Sequence, residues 1–594
     1  LLTMHRNLGV FTARNVGLAR LFMQFQGKTG GFTKGRDRSF HFGSKEHHIV
    51  GMISHLGPQL GVADGIALAN KLDASPQATL VFTGDGGASE GDFHEALNTA
   101  AVWDLPVIFV IENNQWGLST PSSEQFRCKQ FIDKGIGYGI EAVQVDGNNL
   151  LEVHSTVRQL AESIRKEPRP VILECVTFRM RGHEEASGTK YYPEGLQASW
   201  AERDPVENFE HYLLAEGILT QERTEEIKAE HKREIQMALD EADAAARPVF
   251  QRETEEADLF AHSTHQNIIP DSETKELRML DAIQEALDQS MEAYPELVLM
   301  GQDIADYGGV FKATENLMKK YGKDRVRNTP LCESAIIGAG LGLSIRGKKA
   351  MVEMQFADFV SEGMTQICNN LAKVHYRWGQ NADVVIRMPT GAGVAAGPFH
   401  SQSNEAWFTH TAGLKVLYPA FPEDAKGLLN AAFDDPNPVM FFEHKALYRS
   451  VRGAVPQNRY TLPMGAAKTV RNGKDLSIIT YGMGVHWALA YAENNPEISI
   501  EIVDLRSLVP LDEEHIYDSV KRTHRALVLN EDVRTGSYGA DIAQRIQENC
   551  FKFLDAPVMH LGSLDLPVPF AAELEVGFLA NARLDDKVQA LLRF

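Results

Sequence analysis

"VFTGDGGASEGDFHEALNTAAVWDLPVIFVIENNQWG" runs from Val81 to Gly117. An apolar, strand-sized run ends in an aspartate set among glycines. A helical stretch follows, and then a second apolar strand that closes on two asparagines. Consecutive parallel strands joined by a right-handed crossover lie close in a sheet, with their carboxyl ends on one edge. Open α/β sheets bind their ligands at that edge. Asp85 ends the first strand and Asn114 the second, 29 positions later, which is room for one helix and a return strand. Two side-chain oxygens and a nearby main-chain carbonyl suit a hard divalent cation such as Mg²⁺. Gly84, Gly86 and Gly87 let the backbone approach a bulky anion, and the next helix is expected to offer its amino terminus to a phosphate. "DGG" or "NN" alone would read as a turn. The pair, each closing an apolar strand at this spacing, reads as a cradle for a cation and a diphosphate.

At 594 residues the chain is too long for one core. Its apolar runs, such as "LPVIFVI", are strand-sized and well short of the ~18–20 residues of a membrane span. The net charge of −21 argues against a nucleic-acid partner, which selects a basic surface. Five scattered cysteines (Cys128, Cys175, Cys332, Cys368, Cys550) form no CxxC pair, so a reducing compartment is expected.

Strand-like runs alternate with amphipathic helices through about residue 200: "ATLVFTG", "LPVIFVI", "AVQVDG" and "PVILECVTF". The alternation predicts a parallel α/β sheet. The charged stretch "QERTEEIKAEHKREIQMALDEADAAA" predicts a helix at the end of this domain, expected to span 1–250. Residues 251–276 lack periodicity and read as a linker. A second α/β domain, expected over 277–455, carries "LVLMG", "KAMVEMQ", "ADVVIRMP" and "LKVLYP". A third, 456–594, carries "LSIITYG", "ISIEIVDLRSLVP" and "HRALVLNED".

"GDG" followed by "NN" resembles the thiamine diphosphate motif, and its surroundings resemble the α subunit of 2-oxo acid dehydrogenase E1 components. The likeness continues through "GGFTKGRDRSFHF", "SHLGPQLGVADGIALANKL" and "FRMRGHEEASG". The resemblance implies thiamine diphosphate and Mg²⁺ as cofactors, with Asp85, Asn114 and the main-chain carbonyl of Trp116 as metal ligands. Trp116 stands where the family usually has tyrosine. "MHRNLG" resembles the family's Tyr-Arg element that grips the diphosphate, with Arg6 kept and His5 in place of the tyrosine. In such a subunit further residues precede this motif, so the α-type domain is expected to be incomplete at its amino terminus. Ser54 and Leu56 of "SHLG" match the residue whose main chain meets the aminopyrimidine and the residue wedged between the two cofactor rings.

"NTPLCESAIIGAGLGLSIRG" and "EMQFADFVSEG" resemble the β subunit of the same family, fused here to α. By that resemblance Glu333 is the catalytic glutamate that hydrogen-bonds the aminopyrimidine. Leu331 lines the cofactor, and Phe359 packs on the pyrimidine. Read without the family, Glu333 would more often cap a helix. Acyl transfer to a lipoyl disulfide requires protonation of a thiolate, which histidine can supply near neutrality. The resemblance places His400 of "GPFHSQSNEAWFTH" and His183 of "RMRGHEEASG" at the active-site histidines. "KTVRNGKDLSIITYGMGVHWAL", "LNEDVRTGSYGADIAQRI" and "SLDLPVPFAAELE" resemble the carboxyl-terminal transketolase-like domain.

The implied fold is two doubly wound, parallel-sheet thiamine diphosphate-binding domains plus a carboxyl-terminal transketolase-like α/β domain. The implied partners are a small 2-oxo acid, the lipoyl and subunit-binding domains of an E2 acyltransferase, and a second copy of the chain. No nucleic acid and no membrane is expected. Glu184 follows His183 where animal enzymes of this class carry a phosphorylated serine. That departure and the fusion suggest a bacterial, cytoplasmic enzyme. "PLCE", "QFAD" and "SHL" look more like branched-chain than pyruvate E1 enzymes, so 3-methyl-2-oxobutanoate is favoured over pyruvate or acetoin. A catalytically silent scaffold subunit is the alternative of another class. Retention of Asp85, Glu333 and His400 speaks against it.

Overall fold

Four of the early apolar runs become one parallel sheet: β1 (Thr79–Gly84), β2 (Val107–Asn113), β3 (Glu141–Asp146) and β4 (Val171–Val176), in the order β1-β2-β4-β3. The computed structural model describes residues 1–594 apart from the side chain of Glu185. The chain forms two compact units. The first is Leu1–Asp258 with Ser334–Arg346 and Val374–Gln380. The second is Leu259–Glu333, Gly347–Lys373 and Asn381–Phe594.

In the first unit β1 is a half-buried outer strand and β2 is buried almost throughout. Ile108, Val110, Val145, Val171 and Leu173 pack with Leu160 and Ile164 of the crossover helix Leu150–Lys166. Parallel pairing runs from Thr79↔Val107 to Gly84↔Glu112, so β1 and β2 end side by side. The chain start also joins this edge. Leu2 bridges Val81 in parallel, its N–H donating to Leu80 O (2.9 Å) and its carbonyl accepting from Phe82 N (3.0 Å).

Helix α1 (Pro58–Leu72) covers β1 and packs on α2 (Gly91–Val102). The predicted charged helix is α3, Gln221–Ala244. A later helix, α4 (Glu333–Ile345), contributes Ser334 onward to this unit. It crosses α1 at glycines. A Cβ on Gly65 would lie 2.0 Å from Ala339 O, and one on Gly342 would lie 2.2 Å from Val62 O. Only glycine permits so close a backbone approach. Arg377, on the Val374–Gln380 segment, pairs with Asp37 and donates to the carbonyls of His41 (2.7 Å) and Met52 (2.8 Å). It thereby ties down the loop that leads to Ser54.

The stretch read as a linker carries structure at both ends. Arg252–Ala257 is helical, with Glu255 and Asp258 paired to Arg36. Thr274–Arg278 is a strand that runs antiparallel to Arg452–Pro456.

Besides this two-stranded ribbon, the second unit holds two larger sheets. The larger contains β5 (Val298–Gly301), β6 (Val326–Asn328), β7 (Ala350–Glu353), β8 (Val384–Thr390), β9 (Lys415–Leu417) and β10 (Val439–His444). All their mutual pairings are parallel. The smaller contains β11 (Lys468–Arg471), β12 (Leu476–Thr480), β13 (Ile500–Asp504), β15 (Ala526–Val533) and β16 (Met559–Ser563). "ISIEIVDLRSLVP", read as one strand, is two. Arg506 takes a left-handed φ of 58° and breaks the run. The second piece, β14 (Ser507–Val509), pairs antiparallel with β9 of the larger sheet. An L-residue in that region turns the chain sharply.

Arg387 in mid-β8 is fully buried between Glu353 (2.6 Å) and Glu443 (2.6 Å). Both carboxylates are needed to offset the desolvation of its guanidinium. Among the described residues no helix is long and apolar enough to cross a membrane, and no disulfide joins any of the five cysteines.

Candidate active site

In the first unit the expected cradle comes together at the carboxyl edge of β1 and β2. Asp85 is 1% exposed. Burial pushes its carboxyl above the ordinary range, while Ser122, the Asn114 amide and the charge of Arg179 pull it back down. Ser122 Oγ donates to Asp85 Oδ2 at 3.0 Å. Asn114 Oδ1 accepts the Trp116 N–H at 3.1 Å, an Asx turn carried over Gln115 at φ 65°. The turn reading of "NN" therefore holds as well, and it excludes nothing, since an amide oxygen has two lone pairs. Gly86 sits beneath the Trp116–Gly117 hairpin, where an added Cβ would meet Gly117 Cα at 3.2 Å. A Cβ on Gly87 would meet Thr83 Oγ1 at 2.5 Å and Leu56 O at 3.1 Å, so Gly87 lets the Ser54–Leu56 loop close on the cradle. Ser54 is exposed and its hydroxyl meets His41 Nε2 at 2.9 Å. Leu56 is half-buried. Gly84 meets nothing closer than 3.9 Å.

One expectation changes. A 3₁₀ turn, Gly87–Ser89, intervenes before α2 begins at Gly91. Asp92 in the first turn of α2 accepts from Ser334 Oγ, and Glu95 accepts the Ala335 N–H at 3.0 Å. The helix end thus faces the start of α4, and its dipole is already answered by an acid. An anion beside Asp85 would meet the Gly86–Gly87 turn instead.

Because Leu2 is zipped onto β1, Arg6 arrives at the same edge. It donates to His183 Nδ1 (2.9 Å) and His183 O (2.6 Å) and pairs with the His5 ring. Arg179, three residues past β4, reaches the other side of His183 Nδ1 (3.3 Å), Leu118 O (2.5 Å) and Tyr191 OH (2.8 Å). Burial and then the charge of Arg179 lower the pKa of Arg6, against the pull of Glu112. Burial, then Arg6, then Arg179 lower that of His183. His5 is pushed down to about 4 by burial and then by Arg6. Two guanidiniums and two imidazoles thus converge near the carboxylates of Asp85 and Glu112. An anion placed there relieves their mutual repulsion.

This donor set fits a Mg²⁺–diphosphate pair. Among the described residues no cluster of three or more His, Cys, Asp or Glu is placed for a metal, so a cation would rest on the Asp85 carboxylate and neutral oxygens. Hard oxygen ligands completed by phosphate are what Mg²⁺ selects.

The second unit holds the other group of expected residues, past the carboxyl ends of strands of its larger sheet: Glu333 opens α4, and Phe359 lies in the 3₁₀ stretch Ala357–Gly363. Glu333 accepts from Gln302 Nε2 at 2.9 Å, and Gln302 directly follows β5. Phe356 and Phe359 follow β7. The His400 ring stands edge-on to both, at 4.8 and 5.6 Å between centroids. Leu331 is 79% exposed.

A family model described as "Dehydrogenase E1 component" matches residues 1–250. "Transketolase, pyrimidine binding domain" matches 275–451, and "Transketolase, C-terminal domain" matches 465–583. Among curated relatives, "2-oxoisovalerate dehydrogenase subunit beta" of Bacillus subtilis (strain 168) is 43% identical over 319 residues, covering 53% of this chain and 97% of that one. The chain belongs to the thiamine diphosphate-dependent 2-oxo acid dehydrogenase E1 family. It carries an α-like E1 domain fused to the two transketolase-type domains. "2-Oxoisovalerate dehydrogenase subunit beta 2, mitochondrial" of Arabidopsis thaliana is 42% identical, covering 50% of this chain and 85% of that one. "Pyruvate dehydrogenase E1 component subunit beta-1, mitochondrial" of Oryza sativa subsp. japonica is 39% identical, covering 54% and 87%.

For this E1 chain, reading the sequence singles out neither Arg179 nor Ser122. Arg179 had a usable signal: it is a basic residue just past the carboxyl end of a third strand of the same sheet. Ser122 had none, because only the Trp116–Pro121 hairpin brings it to Asp85.

Proposed function

We propose that this E1 chain decarboxylates a branched-chain 2-oxo acid such as 3-methyl-2-oxobutanoate and passes the acyl group to the lipoyl group of an E2 partner. The observation that carries the assignment of the site is the placement of Asp85 and Asn114 at the ends of adjacent parallel strands, with Arg6 and Arg179 beside them. Asp85, Asn114 and the Trp116 carbonyl hold Mg²⁺. Arg6 and Arg179 neutralise the diphosphate, and the Ser54–Leu56 loop supports the rings. Thiamine diphosphate supplies, when bound, a thiazolium carbon that adds to the oxo group and accepts the electron pair as CO₂ leaves. Glu333, steadied by Gln302, holds a proton against the aminopyrimidine. Leu331 and Phe359 line the cofactor. His400 delivers a proton to the lipoyl thiolate, and His183 fixes the Arg6 grip. This reading divides the chain into 1–250, a linker 251–276, 277–455 and 456–594. It also implies a homodimer and a cytoplasmic bacterial setting.

The Bacillus and Arabidopsis relatives support the branched-chain choice, and the rice relative supports pyruvate as the second reading. A pocket discriminates one methylene by only ~1–3 kcal/mol, so rates decide. CO₂ release with an artificial electron acceptor, Mg²⁺ and thiamine diphosphate is expected to be faster on 3-methyl-2-oxobutanoate than on pyruvate. The reverse order would replace the substrate. Cofactor bound without turnover on any 2-oxo acid would leave a scaffold.

The Asp85 environment adds a pH dependence. Cation loading needs the ionised carboxylate, and burial raises its pKa. Protonation therefore competes with Mg²⁺ at a higher pH than for an exposed aspartate near ~4. Calorimetric titration of thiamine diphosphate with Mg²⁺ should show affinity falling toward acid pH, with the fall already under way through the pH range where an exposed aspartate would titrate. Affinity that stays flat over that range would contradict Asp85 as the ligand.

A further inference from the structure

The loop carrying His400, "GAGVAAGPFHSQSN" from Gly391 to Asn404, is buried at both ends and exposed at Gly393, Val394, Ala395 and Phe399, the last 72% exposed. Its backbone is nevertheless unusual. Gly393 and Ala395 both take positive φ, at 79° and 52°. Ala395 is not a glycine, so its conformation has to be imposed from outside. The imposing group is on the carboxyl-terminal domain. Glu575 lies on the short helix Ala572–Phe578, whose neighbours Leu574 and Val576 are each 63% exposed. Glu575 itself is 4% exposed. Its Oε1 accepts the Gly393 N–H at 3.0 Å and its Oε2 accepts the Ala395 N–H at 3.1 Å. The helix buries only Glu575 and, at its end, Phe578, and both carboxylate oxygens of Glu575 are spent on backbone amides of another domain. Glu531 of the same domain adds a second anchor: it accepts Ala392 N at 2.6 Å and Ser403 Oγ at 3.1 Å, and it is held by His444 Nε2 at 2.8 Å. Behind the loop lies a cavity of about 180 Å³ lined in part by Ser401, Asn404, Asp532 and Pro567.

We propose that Glu575 is a positioning residue for acyl transfer, clamping the Gly393 and Ala395 amides so that the loop presents His400 over Phe356 and Phe359. The inference rests on the acyl-transfer reading of His400. Charge-assisted hydrogen bonds of this kind are the strong ones, and a displacement of about 1 Å in a catalytic group is worth about 10²-fold in rate.

The test uses the full chain with Glu575→Ala, with Glu575→Gln as the milder variant should the first fail to fold, and with the exposed neighbour Glu573→Gln as control. Hydrogen exchange at Gly393–His400, measured without cofactor, should quicken by about 10–100-fold in the Glu575 variants and stay unchanged in the control. Reductive acylation of a lipoylated E2 domain should fall by about 10-fold or more, and decarboxylation with a dye acceptor should fall much less. Glu575→Gln, which keeps one acceptor oxygen, should lie between wild type and Glu575→Ala in both measurements. Unchanged exchange in the loop overturns the clamp. So does an equal fall in both rates, which would mark a merely structural role. The exchange measurement decides the clamp even in a chain that turns over no 2-oxo acid, so its failure and the failure of the functional reading are told apart.

Discussion

Replacing Glu333 by glutamine is expected to slow hydrogen–deuterium exchange at the thiazolium carbon of bound thiamine diphosphate by about 10²–10⁴-fold, the usual contribution of a positioned acid–base group. Glutamine has the same shape and keeps an oxygen where Gln302 Nε2 now donates at 2.9 Å. The loop after β5 should therefore keep its arrangement, and cofactor affinity should change little. What is lost is the ability to hold a proton at the carboxyl oxygen. The helix-capping reading of Glu333 predicts the opposite pattern, with exchange unaffected and a modest fall in stability of about 0.5–1 kcal/mol. Exchange measured by proton NMR on the quenched cofactor separates the two. A rate equal to wild type would remove Glu333 from the catalytic set.

The second large effect is at the other constellation. Asp85→Asn removes the only acidic side chain proposed to ligate the cation. Changing a group that merely orients a metal ligand typically costs 10–100-fold in affinity. Loss of the charged ligand itself should therefore weaken Mg²⁺-dependent cofactor binding by at least about 100-fold. The fold should survive, because the carboxylate is held locally by Ser122 and the adjacent turn and the strands on either side keep their register. Asparagine can still accept from Ser122, and it relieves the burial of a charge. Thermal unfolding without cofactor should consequently stay the same or rise, while stabilisation by added thiamine diphosphate and Mg²⁺ should vanish. Cofactor stabilisation equal to wild type would show that the cation sits elsewhere.

Much of this architecture can be read from the chain because it is local. The strands from "ATLVFTG" to "HRALVLNED" are apolar runs of strand length between helical stretches, and each contributes strand to one of the sheets. Asp85 and Asn114 could be found because their signal is positional, a polar residue closing each of two runs at crossover spacing. What escaped reading depends on contacts across long separations. The run through Leu505 and Arg506 looks continuous, and only the left-handed turn at Arg506 sends β14 to a different sheet. Arg387 in "VVIRMP" looks like a solvent-facing charge until β7 and β10 bring a glutamate to it from each side. The grouping of Ser334–Arg346 with the first unit rests on Gly65 and Gly342, whose significance exists only at the crossing. Glu575 reads as one more acid in "AAELEVG", because its partners are backbone amides 182 and 180 positions away.

The account depends most on one coenzyme being held at its diphosphate by the Asp85 cradle and at its aminopyrimidine by Glu333. The most direct measurement is the structure of the assembled protein crystallised with thiamine diphosphate and Mg²⁺. The account predicts the cation on Asp85, Asn114 and the Trp116 carbonyl, Arg6 on the diphosphate, and Glu333 of the same or a second chain on the pyrimidine ring of that same molecule. A cofactor bound away from Asp85, or a Glu333 facing a cavity the cofactor does not enter, would contradict it.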